Sequence, residues 1–438
     1  MASAAVDLRQ RNAPATWLTA IVFRPLFFLI TAPSLLFFAT LTAMLFRPPD
    51  LHFYNLDRVA LVLLVGSVML RVFVLRQSVL VVEKVTLPLL LLIVMGLLEL
   101  FLRPSEVQDW STFAAKWLVP FVLYHIGQLV FTETKSLKQL ESFLLLVLAY
   151  LSLMAVFFLL DAKDFIFPRF ILDESLGIHA DRARGPFLQA VANGVSLIFL
   201  SLVALDSYRR GRLRSVFALA FVLAIPAAIL ATKTRSVWIS FAAVVVGLWI
   251  FSGSRKVRHA CAYLTVGAIL AASATCLVCL RDASFGDRLS ERSPVEFRFS
   301  MYRVGWEMFL EKPLFGWHAD DIQPELAKRI DGFHQEQFFF HNSYLEVAVN
   351  YGAVGLALYL WVFWDLFRVG TKAKLEMPSD RYFLDQKFRS FWPVLVGVYL
   401  FNASFVVMNY QFVNGLLFTL AGILAMQKRQ QSLPISAY

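Results

Sequence analysis

The sequence predicts an all-α, polytopic membrane protein of about twelve transmembrane helices, with a large outward loop holding amphipathic helical segments before the tenth. Three observations predict it. Of the 438 residues, 58% are hydrophobic and only 16% charged, and mean hydropathy is +0.64. That is more apolar surface than a water-soluble fold of this length can hide. The apolar residues fall in runs of about 17–25, the length that crosses a hydrocarbon core. The basic residues gather in alternate connections between those runs.

In order, the runs cover 26–46, 59–75, 85–102, 111–131, 138–160, 187–205, 215–231, 236–251, 259–280, 343–367, 390–409 and 411–426. The N-terminus does not read as a cleaved leader, because Arg24 and Pro25 interrupt its first apolar stretch and no small-residue cleavage site precedes acidic mature sequence. The chain therefore divides into residues 1–280 with nine helices and short loops, the loop 281–342, and residues 343–438 with three helices and a short tail.

Orientation follows from short-loop lysines and arginines. Arg9 and Arg11, Arg76 and Lys84, Lys135 and Lys138, Arg209 to Arg214, Arg255 to Arg258, Lys372 to Arg389, and Lys428 with Arg429 all fall on one side if the runs alternate. Both termini are then expected in the cytoplasm. The net charge of +10 is thus a topology signal rather than a nucleic-acid footprint.

Segments 161–186, 232–235 and 281–342 are left facing outward. The last carries eleven acids against eight bases and is too long for a simple connector. Within it Phe297, Met301, Val304 and Met308 recur at helical spacing, which predicts an amphipathic helix along the outer membrane–water boundary. Pro313 ends that helix and "PLFGW" turns the chain at Gly316.

Several chemistries find no support. Cys261, Cys276 and Cys279 lie in one apolar segment, and the C-x-x-C within it has no second pair or nearby histidine to complete a tetrahedral site. Asp320 and Asp321 are neighbours in sequence without further partners, so no metal set forms. No phosphate-binding G-x-x-x-x-G-K-[ST] loop occurs. No cofactor is expected.

Cations on the outward side need a reason, since positive charge is expected inside. Arg182 and Arg184 precede the sixth run in "HADRARGPF", and Lys233 and Arg235 occupy the short hairpin "ATKTRSVW". Each costs stability unless it snorkels or meets an anion. They bind lipid phosphates or neighbouring acids singly, or share a site for a polyanionic lipid head group, whose oxygens suit the paired donors of guanidinium. His341 opens the run 343–367, and an imidazole there can take a proton from a hydroxyl near neutral pH. It equally suits an interfacial ring with a wet edge. Asn342 is placed to cap the following helix. His179, His318 and His334 lie in outward loops, His259 in a basic cluster and His125 inside a run.

"RARGPF", "TKTRSVW", "FRFSMYRVGWEMFLEKPLFGW" and "FHNSYLEVAVNYGAVGLALYL" fall in the order and spacing of the O-antigen ligase and O-antigen polymerase superfamily, which the chain resembles over residues 180–365. H-N-x-Y-L followed by Y-G-x-x-G is the most specific element. The resemblance implies about twelve transmembrane helices and transfer of a glycan from an undecaprenyl-diphosphate donor to a hydroxyl at the periplasmic face. Anomeric inversion, without metal or nucleotide, is part of that implication. It assigns Arg182 and Arg235 to the diphosphate and His341 to the acceptor hydroxyl. Arg184 stands as an alternative to Arg182 in register, with Lys233 as a further cation. Where many members have N-P-N, this chain has "QAVAN", so no role is carried to Asn193.

The expected acceptor is the lipid A core, as in a ligase; the alternatives are a second lipid-linked repeat, as in a polymerase, or a protein serine or threonine. The short stretch after the last run weighs against the last of these. A flippase or transporter, from another class, should place ionisable groups at mid-membrane depth on broken helices. Only His125 and Glu99 approach that. The expected partners are therefore the lipid-linked donor, the acceptor and membrane lipids, with no nucleic acid.

Overall fold

The structure is a computed structural model, and its described residues are 32–47, 55–75, 82–102, 104–177, 179–279, 293–330, 338–371, 383–385 and 387–432. Among them every regular element is a helix, with no strand. The helices are α1 Pro33–Leu45, α2 Leu56–Leu75, α3 Thr86–Phe101, α4 Val107–Val130, α5 Thr134–Leu159, α6 Ala190–Arg209 and α7 Ser215–Ala231. They continue with α8 Arg235–Phe251, α9 Arg255–Cys279, α10 Ser293–Glu311, α11 Ala319–Arg329, α12 Ser343–Thr371, α13 Trp392–Ala403 and α14 Gln411–Ser432.

Each of the twelve predicted runs contains a helix, and among the described residues of the large loop lie α10 and α11. Residues 26–31 of the first run lie outside the described residues. Among the described residues five helices, α4, α5, α6, most of α9 and α12, are long and apolar enough to cross a membrane; α1, α3, α7 and α8 are apolar but shorter. Buried Cys261 is a packing residue on α9, whereas the side chains of Cys276 and Cys279 lie outside those described.

The core is built by close helix approaches at small residues, the device that brings apolar helices together where water supplies no driving force. A Cβ on Gly422 of α14 would fall 2.0 Å from the Tyr124 carbonyl oxygen of α4, and one on Gly194 of α6 would meet Val237 of α8 at 2.4 Å. Helix α6 is almost wholly buried. At its end Arg209 pairs with Asp206 at 2.6 Å and Asp385 at 2.7 Å, while Arg210 pairs with Asp206 at 2.8 Å and with Glu141 of α5. These buried charges compensate one another and tie α5, α6 and the 383–385 loop together.

Two sequence expectations need correction. The run 390–409 is not one helix: α13 stops after 12 residues, and 404–410 is irregular. Such backbone survives inside a membrane protein only where its polar groups find partners. They do: Ser404 O accepts from the Tyr302 hydroxyl at 2.9 Å, Val406 O from Ser343 Oγ at 2.9 Å and Met408 O from Asn414 Nδ2 at 3.0 Å. The second correction concerns α10. Its Phe297/Met301/Val304/Met308 face does not lie on the membrane boundary but is buried in a separate small core with Ile322, Leu326, Phe338 and Phe340.

Helix α12 is broken at Gly352, whose φ of 66° and ψ of −164° only glycine adopts readily. The break receives the loop after α10. Ala353 N–H donates to Pro313 O at 2.7 Å, Val354 N–H to Leu314 O at 3.3 Å, and Trp317 N–H to Val349 O at 2.7 Å. "PLFGW" and "NYG", both singled out in the sequence, are therefore two halves of one joint.

Candidate functional site

Arg182 and Arg184 stand before α6, in a turn that ends at Leu188 with φ 52°. Gly185, at φ 59°, closes this turn, and a Cβ there would meet Asn193 Oδ1 at 2.8 Å. Asn193 is buried and its Nδ2 donates to Ala183 O at 2.8 Å, so it holds the turn from below. The two arginines part company here. Arg184 is fully buried, and its guanidinium donates to the carbonyls of Ile171 at 2.9 Å, Leu176 and Asp173. It organises the 171–176 loop. Arg182 is only half-buried.

The hairpin between α7 and α8 is shaped by its own side chains. Thr232 Oγ1 donates to Ile229 O at 2.7 Å, Thr234 Oγ1 to Thr232 O at 2.8 Å, and Trp238 Nε1 to Ile229 O at 2.9 Å, satisfying carbonyls that the end of α7 leaves open. Lys233 sits at the apex with φ 46°, and Arg235 is the exposed first residue of α8. A backbone bond from Ala183 N–H to Ala231 O, 2.9 Å, lays the Arg182 turn against this hairpin. Arg182, Lys233 and Arg235 thus come from two adjoining turns.

His341 precedes α12 with φ 51°. Asn342 caps the helix, its Oδ1 accepting from Tyr344 N–H at 2.9 Å and Leu345 N–H at 3.1 Å. The imidazole lies between the rings of Phe297 and Phe339, with centroids at 6.1 Å and 6.5 Å. Tyr302 of α10 donates to His341 O at 3.4 Å while holding Ser404 O at 2.9 Å. Burial, and then the Arg298 guanidinium of α10, push His341 down to about 4, so the ring is neutral near pH 7. Arg298 is half-buried, one helical turn before Tyr302, and makes no ion pair among the described residues.

Contacts connect this corner to the hairpin. Ser240, little more than a turn below Arg235 on α8, accepts from Asn402 Nδ2 at 2.9 Å, and Ser404 two residues on accepts from Tyr302. Of the six non-glycine residues with positive φ among those described, Leu188, Lys233 and His341 all fall in these three segments. Each costs on the order of 1–3 kcal/mol, strain that gathers at functional sites.

Sequence reasoning missed Arg298, whose signal was present in "FRFSMY" but not separable from the other loop cations. It also missed an ion pair beneath His341: Lys116 Nζ lies 2.6 Å from Glu346 Oε2, both nearly buried. Lys116 stands in a π-helical turn, 114–118, within α4, a local irregularity frequent at functional sites. A lysine inside an apolar run was the available sign. Of the other histidines, His318 is half-exposed and 3.8 Å from Asp320, His125 neighbours Thr86 at 3.4 Å inside the bundle, His179 O accepts from Arg182 N–H at 3.2 Å, and His334 lies outside the described residues. Among the described residues no group of acids, histidines and cysteines is arranged for a metal ion.

Residues 219–360 match the family model described as O-antigen ligase, a span that includes Lys233, Arg235, Arg298 and His341 but not Arg182 or Arg184. No curated protein matches the chain. Over that span, about a third of its length, the chain is similar to the O-antigen ligases.

Proposed function

We propose that the protein is a membrane glycosyltransferase that moves a glycan from an undecaprenyl-diphosphate donor to a hydroxyl of an acceptor, the lipid A core, at the periplasmic face of the inner membrane. The observation that carries this reading is that the matched region holds both a neutral, strained, half-buried imidazole, His341, and the hairpin cations Lys233 and Arg235. The predicted topology, with both termini cytoplasmic, puts those groups on the outer side.

In this reading Arg182 and Arg235, with Lys233, hold the diphosphate. The anomeric C–O bond breaks with its electron pair going to the diphosphate, and fixed cations stabilise the charge that develops there. The acceptor oxygen forms the new C–O bond from the opposite face, so the centre inverts, and its proton passes to His341. A free imidazole near 4 is a weak base. Bound diphosphate brings negative charge to the site and raises its proton affinity when the base is needed. Arg184 is given no part in this, because its donors already serve three carbonyls.

The test is transfer by purified protein in proteoliposomes holding lipid-diphosphate glycan and lipid A core, without ATP or added metal. A new glycosidic product supports the reading; glycan crossing the bilayer without a new bond would instead identify a flippase.

A further inference from the structure

Helix α10 is apolar on two opposite faces. One is the buried face already described. The other carries Phe299, Trp306 and Leu310, which are 71%, 55% and 58% exposed, at spacings of seven and four that align on one side of a helix. The chain then delivers Leu314 and Phe315, 62% and 72% exposed, to the same region. Exposed Arg303 lies within the stripe, while Glu296, Glu307 and Glu311 keep to one edge of it.

Where this surface sits follows from the joint at Gly352. Leu314 and Phe315 are fastened beside Ala353 and Val354 of α12, not at the start of that helix. From the break to Thr371 the helix continues for about 19 residues, or roughly 28 Å at 1.5 Å per residue, close to the roughly 30 Å of a hydrocarbon core. Below the joint α12 exposes Leu360, Trp361, Trp364 and Phe367, a lipid-facing belt that runs up to Val354 and meets the loop tip there. The nine residues 343–351 are then above the hydrocarbon.

We propose that the Phe299/Trp306/Leu310/Leu314/Phe315 surface is seated in the outer leaflet, making α10 an interfacial anchor that fixes the height of Arg298 and His341 above the hydrocarbon. The occupant of the surface is the lipid leaflet the chain already crosses. Continuity with the α12 belt, a tryptophan at headgroup depth and an arginine able to snorkel to phosphates all favour it. The inference rests on the membrane reading of the chain and not on the transfer chemistry, so the two fail separately.

Spin labels at Leu310→Cys and Phe315→Cys, with Lys328→Cys as the water-facing control, test it in a background where the three cysteines are alanine. The full chain is placed in phosphatidylethanolamine–phosphatidylglycerol nanodiscs, and relaxation by oxygen is compared with relaxation by a water-soluble nickel chelate. The expected result is oxygen dominating at 310 and 315 and nickel at 328. Nickel dominating at 310 and 315 overturns the anchor, and so does exclusion of both agents, which would mean that protein, a second copy included, covers the surface.

Discussion

Substituting Gly352 by alanine sets two responses of known size against each other. If the loop stays docked, the new Cβ lies 2.2 Å from Leu314 O and 2.5 Å from Phe315 N, backbone atoms that cannot swing aside. That overlap costs about 1–3 kcal/mol, and holding alanine at φ 66° and ψ −164° costs about 1–3 more. If the loop leaves, three backbone bonds are lost, Ala353 to Pro313, Val354 to Leu314 and Trp317 to Val349, at roughly 1 kcal/mol each. Helix α12 can then straighten, and Ala353 N–H regains an intrahelical acceptor. The second route is cheaper. The G352A protein should insert and fold but release residues 313–317, loosening α10 and with it Arg298 and Tyr302. Hydrogen exchange is the assay: the Trp317 amide loses protection while Ala353 stays protected, and transfer falls at least about tenfold as positioning is lost. Gly247→Ala is the control, since a Cβ there meets nothing within 4 Å. Wild-type protection at Trp317 together with full transfer would refute the joint.

Three further outcomes follow from the site. Arg235→Lys keeps the charge but loses the paired donors, so transfer at limiting donor should fall clearly with insertion unchanged; full activity would reduce Arg235 to a simple electrostatic anchor. Arg184→Met leaves the Ile171, Leu176 and Asp173 carbonyls unserved and should destabilise the fold and lower protein yield, whereas Arg182→Met should fold normally and lose transfer; the opposite pattern would exchange their roles. His341 has its proton affinity lowered in the folded protein, so its contribution to stability is present above about pH 6.5 and is lost as pH falls toward 4. The acid limb of kcat/KM should accordingly lie near pH 4, that of kcat should lie higher because donor is bound, and Arg298→Met should move the kcat/KM limb upward; an unmoved limb would separate Arg298 from His341.

Much of this was legible because it is local. Apolar runs gave helix positions, Asn342 was readable as a cap, and Pro313 marked the end of α10. What was not legible depends on partners distant in sequence. Composition alone extended 390–409 into one helix, since the partners that free 404–410 from helical pairing, Tyr302, Ser343 and Asn414, come from other helices. Arg182 and Arg184 are equivalent in "DRARG"; only the fold turns one inward. The periodicity at Phe297 found an amphipathic helix but could not say that a second apolar stripe lies opposite, or which of the two meets protein. Glu346 gains meaning only when α4 brings Lys116 to it.

Whether His341 takes the acceptor's proton is read from transfer by His341→Gln in proteoliposomes, with donor binding measured on the same preparation. Glutamine can keep a hydrogen bond to the hydroxyl but cannot accept a proton near neutrality. Loss of a positioned general base costs about 10²–10⁴-fold in rate. A loss of that size is expected with donor binding near normal, and an equal or greater loss for His341→Ala. Transfer at close to the wild-type rate by the glutamine protein would contradict it, leaving His341 to orient the acceptor and the arginines to carry the catalysis.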